Sequence, residues 1–267
     1  MDIPKSVTFI GGLAFAGCSN LVSINIPNLI SSIEDGAFAR CTNLSSIKIP
    51  DSVNSIGDDA FHSCTNIASI EIPSNVKTIG DSAFFDCKAL TSIEIPATVS
   101  KIGKEVFSGC INLNKIEVIK SNSFSDVNTS LAEIDHYTSE DGVLFSKDTN
   151  ELLIYPSGKT DETYTVPNGV SAMATRSFDK NEYLQSIYIG EDVKTIGESA
   201  FQMCTNLKEV HLQQTKPNDL DVQFDLDTIK HITLFVPDGT VNTYRQHPEF
   251  SKFKEIKING IFVFQFS

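Results

Sequence analysis

The sequence lacks an excess of positive charge and has no long apolar run. Its 21 lysine and arginine residues are outnumbered by 34 aspartate and glutamate residues, which gives a net charge of −13. We therefore expect no nucleic-acid partner, because phosphate binding needs concentrated basic side chains. No apolar stretch approaches the roughly 20 residues of a membrane helix, so we expect no membrane insertion. The first residues, MDIPK, also lack the basic start and apolar stretch of a signal peptide.

Motifs for enzymatic chemistry and for bound ions are also missing. The five histidines show neither the HExxH spacing of a zinc site nor the surroundings of a nucleophile motif. There is no glycine-rich phosphate loop. Four aspartates form an acidic cluster: Asp219, Asp221, Asp225 and Asp227. Because their spacing is not that of an EF-hand loop, the cluster is either a solvated surface or a weak calcium-binding site. We expect no enzyme, no catalytic residues, no metal and no cofactor.

The six cysteines first suggest disulfides or a metal site, but their spacing points to repeats. Five of them recur every 23 residues, and a phenylalanine precedes each by three; the cysteines are Cys18, Cys41, Cys64, Cys87 and Cys110. The pair Ile-Pro recurs with the same period from Ile3 onward. Such repeats predict a solenoid whose stacked units share one core. We expect the thiols to be buried and reduced, with disulfides as the alternative, since a buried thiol behaves as a small apolar group.

One repeat, residues 90–110, reads LTSIEIPATVSKIGKEVFSGC. The alternation of Ile93 and Ile95 predicts a short strand, which Pro96 ends because proline has no N–H to donate. The three-residue spacing of Val99 and Ile102 suits a short helical or 3₁₀ turn on the opposite side. Stacking would place equivalent strands about 4.8 Å apart.

Four segments are distinguished along a single predicted domain, 1–267. They are regular repeats at 1–118, irregular repeats at 119–182, regular repeats at 183–212 and a C-terminal cap at 213–267. Within the irregular segment, a Ser/Asn/Asp-rich stretch up to residue 140 predicts a loop or a distorted repeat.

A β-hairpin is predicted after this loop, from two apolar stretches, Val143–Phe145 and Leu152–Tyr155, around a polar turn. Because Ile3-Pro4 stands at the tail of a repeat whose strand is absent, we expect that a signal segment precedes this sequence.

The repeat LxxIxIPxxVxxIGxxAFxxC, as in Ile67–Cys87, resembles the BspA-like leucine-rich repeat family, also called type 5 leucine-rich repeats. The segment LFVPDGTVNTYRQHPEFSKFKEI is similar to the ending of family members from Bacteroides-type bacteria. The resemblance implies an α/β repeat solenoid: a right-handed curved stack with a concave parallel β-sheet and short helical or 3₁₀ turns on the convex side. It also implies a secreted or surface-attached bacterial protein that adheres to host or bacterial proteins.

The outward side chains of the predicted strands are the candidate ligand-binding residues, because solenoids usually bind through this face. They are Lys48, Glu71, Glu94, Lys115, Glu117, Tyr188 and His211. Three of these are glutamates on adjacent strands, a mildly destabilising arrangement that suits a basic partner or a divalent cation; a solvated acidic face is the alternative.

The function expected from these features is a non-enzymatic adhesion module outside the cell or on its surface, which binds a protein or glycan through the concave face. The alternative is a rigid structural spacer that presents another domain.

Overall fold

The computed structural model describes residues 1–120 and 135–260. The chain is a β-solenoid of about 10 turns with parallel sheets and few helices, as the sequence predicts. It divides into two compact units. Unit 1 contains Met1–Asp148 and Leu153–Lys159, and unit 2 contains Thr149–Leu152 and Thr160–Ser267. No helix among the described residues is long and apolar enough to cross a bilayer.

The strands of unit 1 are short and recur with the repeat. They are β1 (Ser23–Asn25), β2 (Ser32–Ile33), β3 (Ser46–Lys48), β4 (Ser55–Ile56), β5 (Thr78–Ile79), β6 (Ser92–Pro96), β7 (Lys101–Ile102), β8 (Lys115–Ile119), β9 (Tyr137–Glu140), β10 (Val143–Ser146) and part of β11 (Glu151–Ile154). We call β1, β3, β6 and β8 row A of this unit, and β2, β4, β5 and β7 row B.

Row A contains the strands predicted from the Ile-x-Ile-Pro pattern. In β6, Ile93 and Ile95 are buried, whereas Ser92 and Glu94 between them are exposed. The strands pair in parallel, with equivalent residues of successive turns opposite each other, for example Ser23 with Ser46. The sequence alternation therefore sets which side chains enter the core and which form the outer face.

Row B is a second parallel sheet, which was not predicted from the sequence. Its four strands are joined in the order β2-β4-β5-β7, and Ile56 pairs with Ile79. Lys101 and Ile102 belong to its last strand, so the helical turn expected there is wrong.

The turns after row B are not helical either, because left-handed residues interrupt them. Each turn has two residues with positive φ, four positions apart, such as Asp59 (φ 53°) and Ser63 (φ 57°). A right-handed helix needs negative φ at every position. Alternate N–H groups instead bond to the next turn, as Phe38 does to the carbonyl of Ala60 at 2.9 Å. These turns thus add hydrogen bonds between repeats.

The core of unit 1 contains the predicted phenylalanine and cysteine columns. Phe38, Phe61 and Phe84 are fully buried, and successive rings stack with centroids 5.5 and 5.3 Å apart. The thiol of Cys64 donates to the carbonyl of Phe38 at 3.1 Å, and Cys87 repeats this contact one turn later at 3.2 Å. Each thiol therefore joins two turns.

The predicted hairpin is larger than expected. Strand β10 is adjacent to β11, as predicted, but β10 also pairs antiparallel with β9, Tyr137–Glu140. The turn between β9 and β10 is Asp141-Gly142, with φ of 48° and 77°, which suits a two-residue hairpin turn. The stretch expected to be a loop or a distorted repeat up to residue 140 therefore ends in a strand, and residues 121–134 of it lie outside the described residues.

Unit 2 has the same two rows of strands. Its elements are the other part of β11, β12 (Thr163–Thr165), β13 (Ala172–Met173), β14 (Ser186–Ile189), β15 (Thr195–Ile196), β16 (Glu209–Leu212), β17 (Asp221–Val222), α1 (Leu226–Ile229), β18 (Thr233–Val236), α2 (Val241–Gln246) and β19 (Glu255–Ile258). We call β12, β14, β16, β18 and β19 row A of this unit; they lie in this order in one sheet.

The segment predicted as a cap continues row A. Strand β18 pairs in parallel with β16 and then with β19, and the helix α2 lies between β18 and β19, at Val241–Gln246. Tyr244 of α2 is fully buried and donates its hydroxyl to the carbonyl of Gln214 at 2.8 Å. The last two strands therefore carry outward side chains that extend the face of row A.

Candidate ligand-binding faces

The row A face of unit 1 consists of the outward side chains of its strands and of the equivalent residues 69–71. It carries five of the predicted site residues and three serines: Ser46, Lys48, Ser69, Glu71, Ser92, Glu94, Lys115 and Glu117. These side chains project outward because the isoleucines between them, such as Ile70 and Ile93, are buried in the core.

A cavity of about 740 Å³ lies on this face. Its lining includes Ser46, Lys48, Ser69, Glu71 and Glu94. The hydroxyl, ammonium and carboxylate groups that surround it are hydrogen-bonding groups. The lining also includes apolar side chains such as Pro73, Pro96 and Ile119, so the cavity offers both polar and apolar contacts.

The charges of the face are unevenly paired. Lys115 and Glu117, two residues apart on β8, form an ion pair of 2.7 Å. Within residues 1–120 and 135–260, no ion pair includes Glu71 or Glu94. Glu94 also lies opposite Glu117 of the next strand, where like charges repel. A cationic group placed here would relieve this repulsion.

The row A face of unit 2 carries the other two predicted residues, Tyr188 and His211, in a stack of three rings. Tyr188 and His211 lie opposite each other on β14 and β16, with ring centroids 4.3 Å apart and planes 15° apart. Phe235 of β18 continues the stack at 4.4 Å and 7°. Parallel pairing in register thus superimposes these rings.

His211 lies on this face but is 4% exposed, whereas the sequence predicts an outward, accessible side chain. Its Nε2 lies 3.2 Å from Glu209 Oε2, and its Nδ1 lies 3.2 Å from Asn259 Oδ1. Asn259 donates its own amide to the carbonyl of Leu212 at 2.8 Å. The imidazole is therefore held in position by neighbours and covered by rings on both sides.

Tyr188 is the half-buried member of the stack on β14. Burial, together with the nearby charge of Glu209, raises the pKa of its phenol. On the side away from His211, Tyr188 lies opposite Thr165, an exposed residue with a small side chain.

Sequence reasoning missed Phe235 and Asn259 because the row of outward positions was ended at residue 212. The signal was present: Leu234 and Val236 alternate around Phe235 in the same way as Val210 and Leu212 around His211.

Within the described parts of the chain, no three histidine, cysteine, aspartate or glutamate side chains are placed to hold a metal ion. In the acidic cluster, Asp227 is paired with Lys230 at 2.7 Å, and the hydrogen bond and charge of that lysine lower the pKa of the carboxyl.

The thiols are poorly suited to nucleophilic chemistry. All six cysteines are free, and Cys18 alone among them is exposed, so the expectation of buried, reduced thiols is confirmed except at Cys18. Burial raises the pKa of Cys64 to about 12 and that of Cys204 to about 12. Since the thiolate is the reactive form, these groups are inert at neutral pH.

The chain is similar to known bacterial proteins. The sequence profile of the BspA type leucine-rich repeat region matches in 6 copies, over residues 1–114 and 158–244. None of the curated proteins compared matches the chain.

Several solved structures share the fold. A leucine-rich cell surface protein from Faecalibacterium prausnitzii is 24% identical with a TM-score of 0.66, over 97% of this chain and 78% of that one. A leucine-rich repeat protein from Eubacterium ventriosum is 22% identical with a TM-score of 0.68, over 96% and 72%. The pneumococcal vaccine antigen PcpA is 18% identical with a TM-score of 0.57, over 97% and 89%.

The profile match covers more than half of the chain, and its first range, residues 1–114, contains the 23-residue ladder of the core. The chain therefore belongs to the BspA-type leucine-rich repeat family.

Proposed function

We propose that this protein is a non-enzymatic interaction module that acts on the bacterial cell surface and binds a protein partner through the row A face of unit 1. The observation that carries the proposal is the pair Glu71 and Glu94, two exposed carboxylates on consecutive turns beside a cavity of about 740 Å³. Membership of a leucine-rich repeat family supports an interaction role, since repeat proteins bind through such extended faces.

The charge of the face indicates the chemistry of the partner. Glu71 and Glu94 present carboxylates that make no ion pair within the described residues, and the whole chain has a net charge of −13. A partner with a basic surface is therefore attracted at long range and paired at contact. The exposed serines Ser46, Ser69 and Ser92 add hydrogen-bonding groups between the charges.

Location outside the cell is part of the same proposal. The similar protein from Faecalibacterium prausnitzii is described as a cell surface protein. Adhesion to a matrix or to another bacterium requires such a location, and the buried thiols of this chain make no demand on a particular redox compartment.

The test is a binding measurement against purified, immobilised extracellular-matrix proteins and purified bacterial surface proteins. The double variant Glu71→Gln and Glu94→Gln removes two charges and keeps the side-chain size. Its matched control, Glu162→Gln with Glu191→Gln, removes two exposed charges from unit 2.

We expect the first variant to weaken binding by roughly tenfold, because two exposed ion pairs contribute about 0.5–1 kcal/mol each. The control should bind as the unchanged protein does, and added salt should reduce the difference. Equal affinity of both variants would refute the proposed face. Failure of every protein in the panel to bind would favour a structural spacer.

A further inference from the structure

Charged side chains of both signs follow one another along the row A face of unit 1. Lys48, Glu71 and Glu94 occupy the same outward position on three consecutive turns, 23 residues apart. All three are exposed, and none forms an ion pair within the described residues. On the next turn, Glu117 is paired with Lys115 at 2.7 Å. The unpaired charges along the stack are therefore one positive charge followed by two negative charges.

The cavity of about 740 Å³ lies where row A is interrupted. The sheet β1-β3 and the sheet β6-β8 are separate, and residues 69–72, on the turn between them, form no strand. The lining includes residues of this turn and of the turns on both sides, among them Lys48, Glu71 and Glu94. The three unpaired charges therefore border one cavity that a segment of another chain can enter.

The spacing of these charges matches alternate residues of an extended peptide that runs along the stack. Since stacked strands lie about 4.8 Å apart, Lys48 is about 7 Å along the stack from the point midway between Glu71 and Glu94. In an extended chain, side chains on one face recur every second residue, at about 6.8 Å. Adjacent residues face opposite sides, and residues four apart are about 13 Å apart. A separation of two residues therefore brings both side chains to these charges.

We infer that the protein partner of this face presents an extended segment in which a carboxylate and an arginine are two residues apart. This inference rests on the proposed function and specifies its partner. The carboxylate of the segment pairs with Lys48, and the guanidinium lies between Glu71 and Glu94. The guanidinium relieves the repulsion between these two carboxylates on adjacent turns. The face thus selects a pattern of charges, since the two side chains together carry no net charge.

Arginine fits the position between the glutamates better than lysine does. A guanidinium has five N–H donors in a planar fork, so it can pair with two carboxylates at once. Ser69 and Ser92, exposed two residues before the two glutamates, add hydroxyl acceptors beside them. Pro73 and Pro96 also line the cavity and offer apolar surface to the methylene groups of the side chain. An ammonium is more strongly hydrated and therefore loses more when it leaves water.

A divalent cation is the competing ligand of the two carboxylates. Such a site needs further oxygen ligands, since Ca²⁺ takes about six to eight. Among the described residues, no third acidic or histidine side chain is placed to complete a metal site, and the ammonium of Lys48 borders the same cavity. These observations favour the guanidinium, so binding should persist in EDTA.

The test is a peptide array probed with the fluorescently labelled full chain. Each short peptide contains one glutamate and one arginine among threonines, because threonine favours extended backbone. In the spaced peptides the two charged residues are two positions apart, in either order, and in control peptides of identical composition they are adjacent. All these peptides are neutral, so the net charge of −13 on the chain does not distinguish them. Dense display adds avidity, which makes weak contacts measurable.

We expect the spaced peptide, in at least one order, to retain roughly threefold to fivefold more protein than the adjacent peptide, the effect of one exposed ion pair. Replacing its arginine by lysine should lower the signal by about twofold. Lys48→Gln should abolish the preference for the spaced peptide. The matched control Lys88→Gln should keep the preference, because Lys88 is an exposed lysine of unit 1 that does not line the cavity.

Charge reversal at the same position is a second measurement. Lys48→Glu should favour a peptide with two arginines two positions apart over one with two adjacent arginines, because the position then repels a carboxylate and attracts a cation. Lys48 is exposed, so neither of its substitutions should affect folding.

Four results would overturn the inference: equal retention of spaced and adjacent peptides, equal retention of arginine and lysine peptides, an unchanged preference in Lys48→Gln, or loss of binding in EDTA. Failure here is distinguishable from failure of the proposed function. If Glu71→Gln with Glu94→Gln weakens binding to matrix or surface proteins but the array shows no preference for the spacing, the face stands and this inference fails. If that double variant binds those proteins unchanged, the proposed function itself fails.

Discussion

Gly80 stands in a column with Gly57 and Gly103, where successive turns of unit 1 approach each other closely. A Cβ at Gly80 would lie 2.4 Å from Asp58 Oδ1, 2.5 Å from Asp58 N and 2.6 Å from Gly57 C. Two of these three atoms are backbone. They cannot move aside alone, because Asp58 N donates to Asp35 Oδ1 at 2.9 Å and Gly80 N donates to the carbonyl of Ile56 at 2.8 Å. Gly80→Ala must therefore force two turns apart.

The expected loss of stability has two parts. Overpacking in a well-packed region costs about 1–3 kcal/mol. The displaced carboxylate of Asp58 also loses its hydrogen bond of 2.7 Å from Asp81 N, which contributes about 1 kcal/mol. We therefore expect Gly80→Ala to lower the free energy of unfolding by about 2–4 kcal/mol.

Two other glycines of unit 1 separate this effect from an ordinary glycine substitution. At Gly11 a Cβ would meet a single atom, Phe9 Cε1, at an unstrained 3.6 Å, and at Gly17 nothing lies within 4 Å but φ is +72°. Gly11→Ala should change stability by less than about 0.5 kcal/mol, and Gly17→Ala should cost about 1 kcal/mol through backbone strain alone.

The assay is urea-induced unfolding followed by far-ultraviolet circular dichroism, with m-values compared among variants. The order of stability loss should be Gly80→Ala, then Gly17→Ala, then Gly11→Ala. If Gly80→Ala is as stable as Gly11→Ala to within about 0.5 kcal/mol, the close approach of the turns is refuted.

Three further predictions concern the core. A thiol reagent at pH 8 should modify Cys18 rapidly and the other five thiols only on unfolding, because Cys18 is exposed and the rest are buried; two or more fast thiols would contradict the burial. The free energy of unfolding should fall as pH rises from 9 to 12, by about 1.4 kcal/mol per pH unit for each of Cys64 and Cys204. Burial raises the pKa of each thiol from 9.0 to about 12, so the unfolded chain loses these protons at lower pH than the folded chain does. If the double variant Cys64→Ala, Cys204→Ala shows the same fall in reducing buffer, these two thiols are not its cause. Phe84 stacks on its two neighbours in the column with ring centroids 5.3 and 5.5 Å apart. In urea unfolding, Phe84→Ala should lower the free energy of unfolding by about 3–5 kcal/mol, and Phe84→Leu should lower it by about 1.5 kcal/mol. Similar losses for both variants would indicate a loosely packed column.

The repeat and its core were predictable from sequence because they depend on identity at a fixed period. The phenylalanine and cysteine columns, the row A strands and the proline stops each repeat the same residue types every 23 positions. A period so regular leaves stacking as the arrangement that buries the apolar face of every unit.

The turns of row B were mispredicted because their conformation comes from neighbouring repeats. Val99 and Ile102 have helical spacing, but Ile102 pairs in a sheet with Ile79 of the previous turn. Most of the left-handed residues that follow, such as Glu105 (φ 54°), are not glycine, so little in the local sequence indicates their conformation. Hydrogen bonds between turns override local preference here.

Aspartates also recur with the 23-residue period, and they form a ladder of hydrogen bonds between turns that was not predicted from the sequence. Asp35 and Asp58 each accept a backbone N–H from the next turn, at 2.9 and 2.7 Å, and Asp81 does the same for Lys104 at 2.8 Å. Their spacing of 23 residues would have identified them.

In the candidate faces, the outward positions of Glu71 and Glu94 followed from alternation, whereas the burial of His211 depends on Phe235 and Asn259 from strands beyond the regular repeats.

Site-specific photo-crosslinking tests the central claim, that the row A face of unit 1 binds a protein partner, most directly. A benzoyl-phenylalanine would replace either Ser69, on the proposed face, or Ser31, an exposed residue beside β2 of row B. Each labelled protein would be irradiated with the matrix or surface protein that binds it most tightly. The account predicts a crosslinked product from position 69 and none from position 31. Crosslinking from position 31 alone, or equally from both positions, would contradict it.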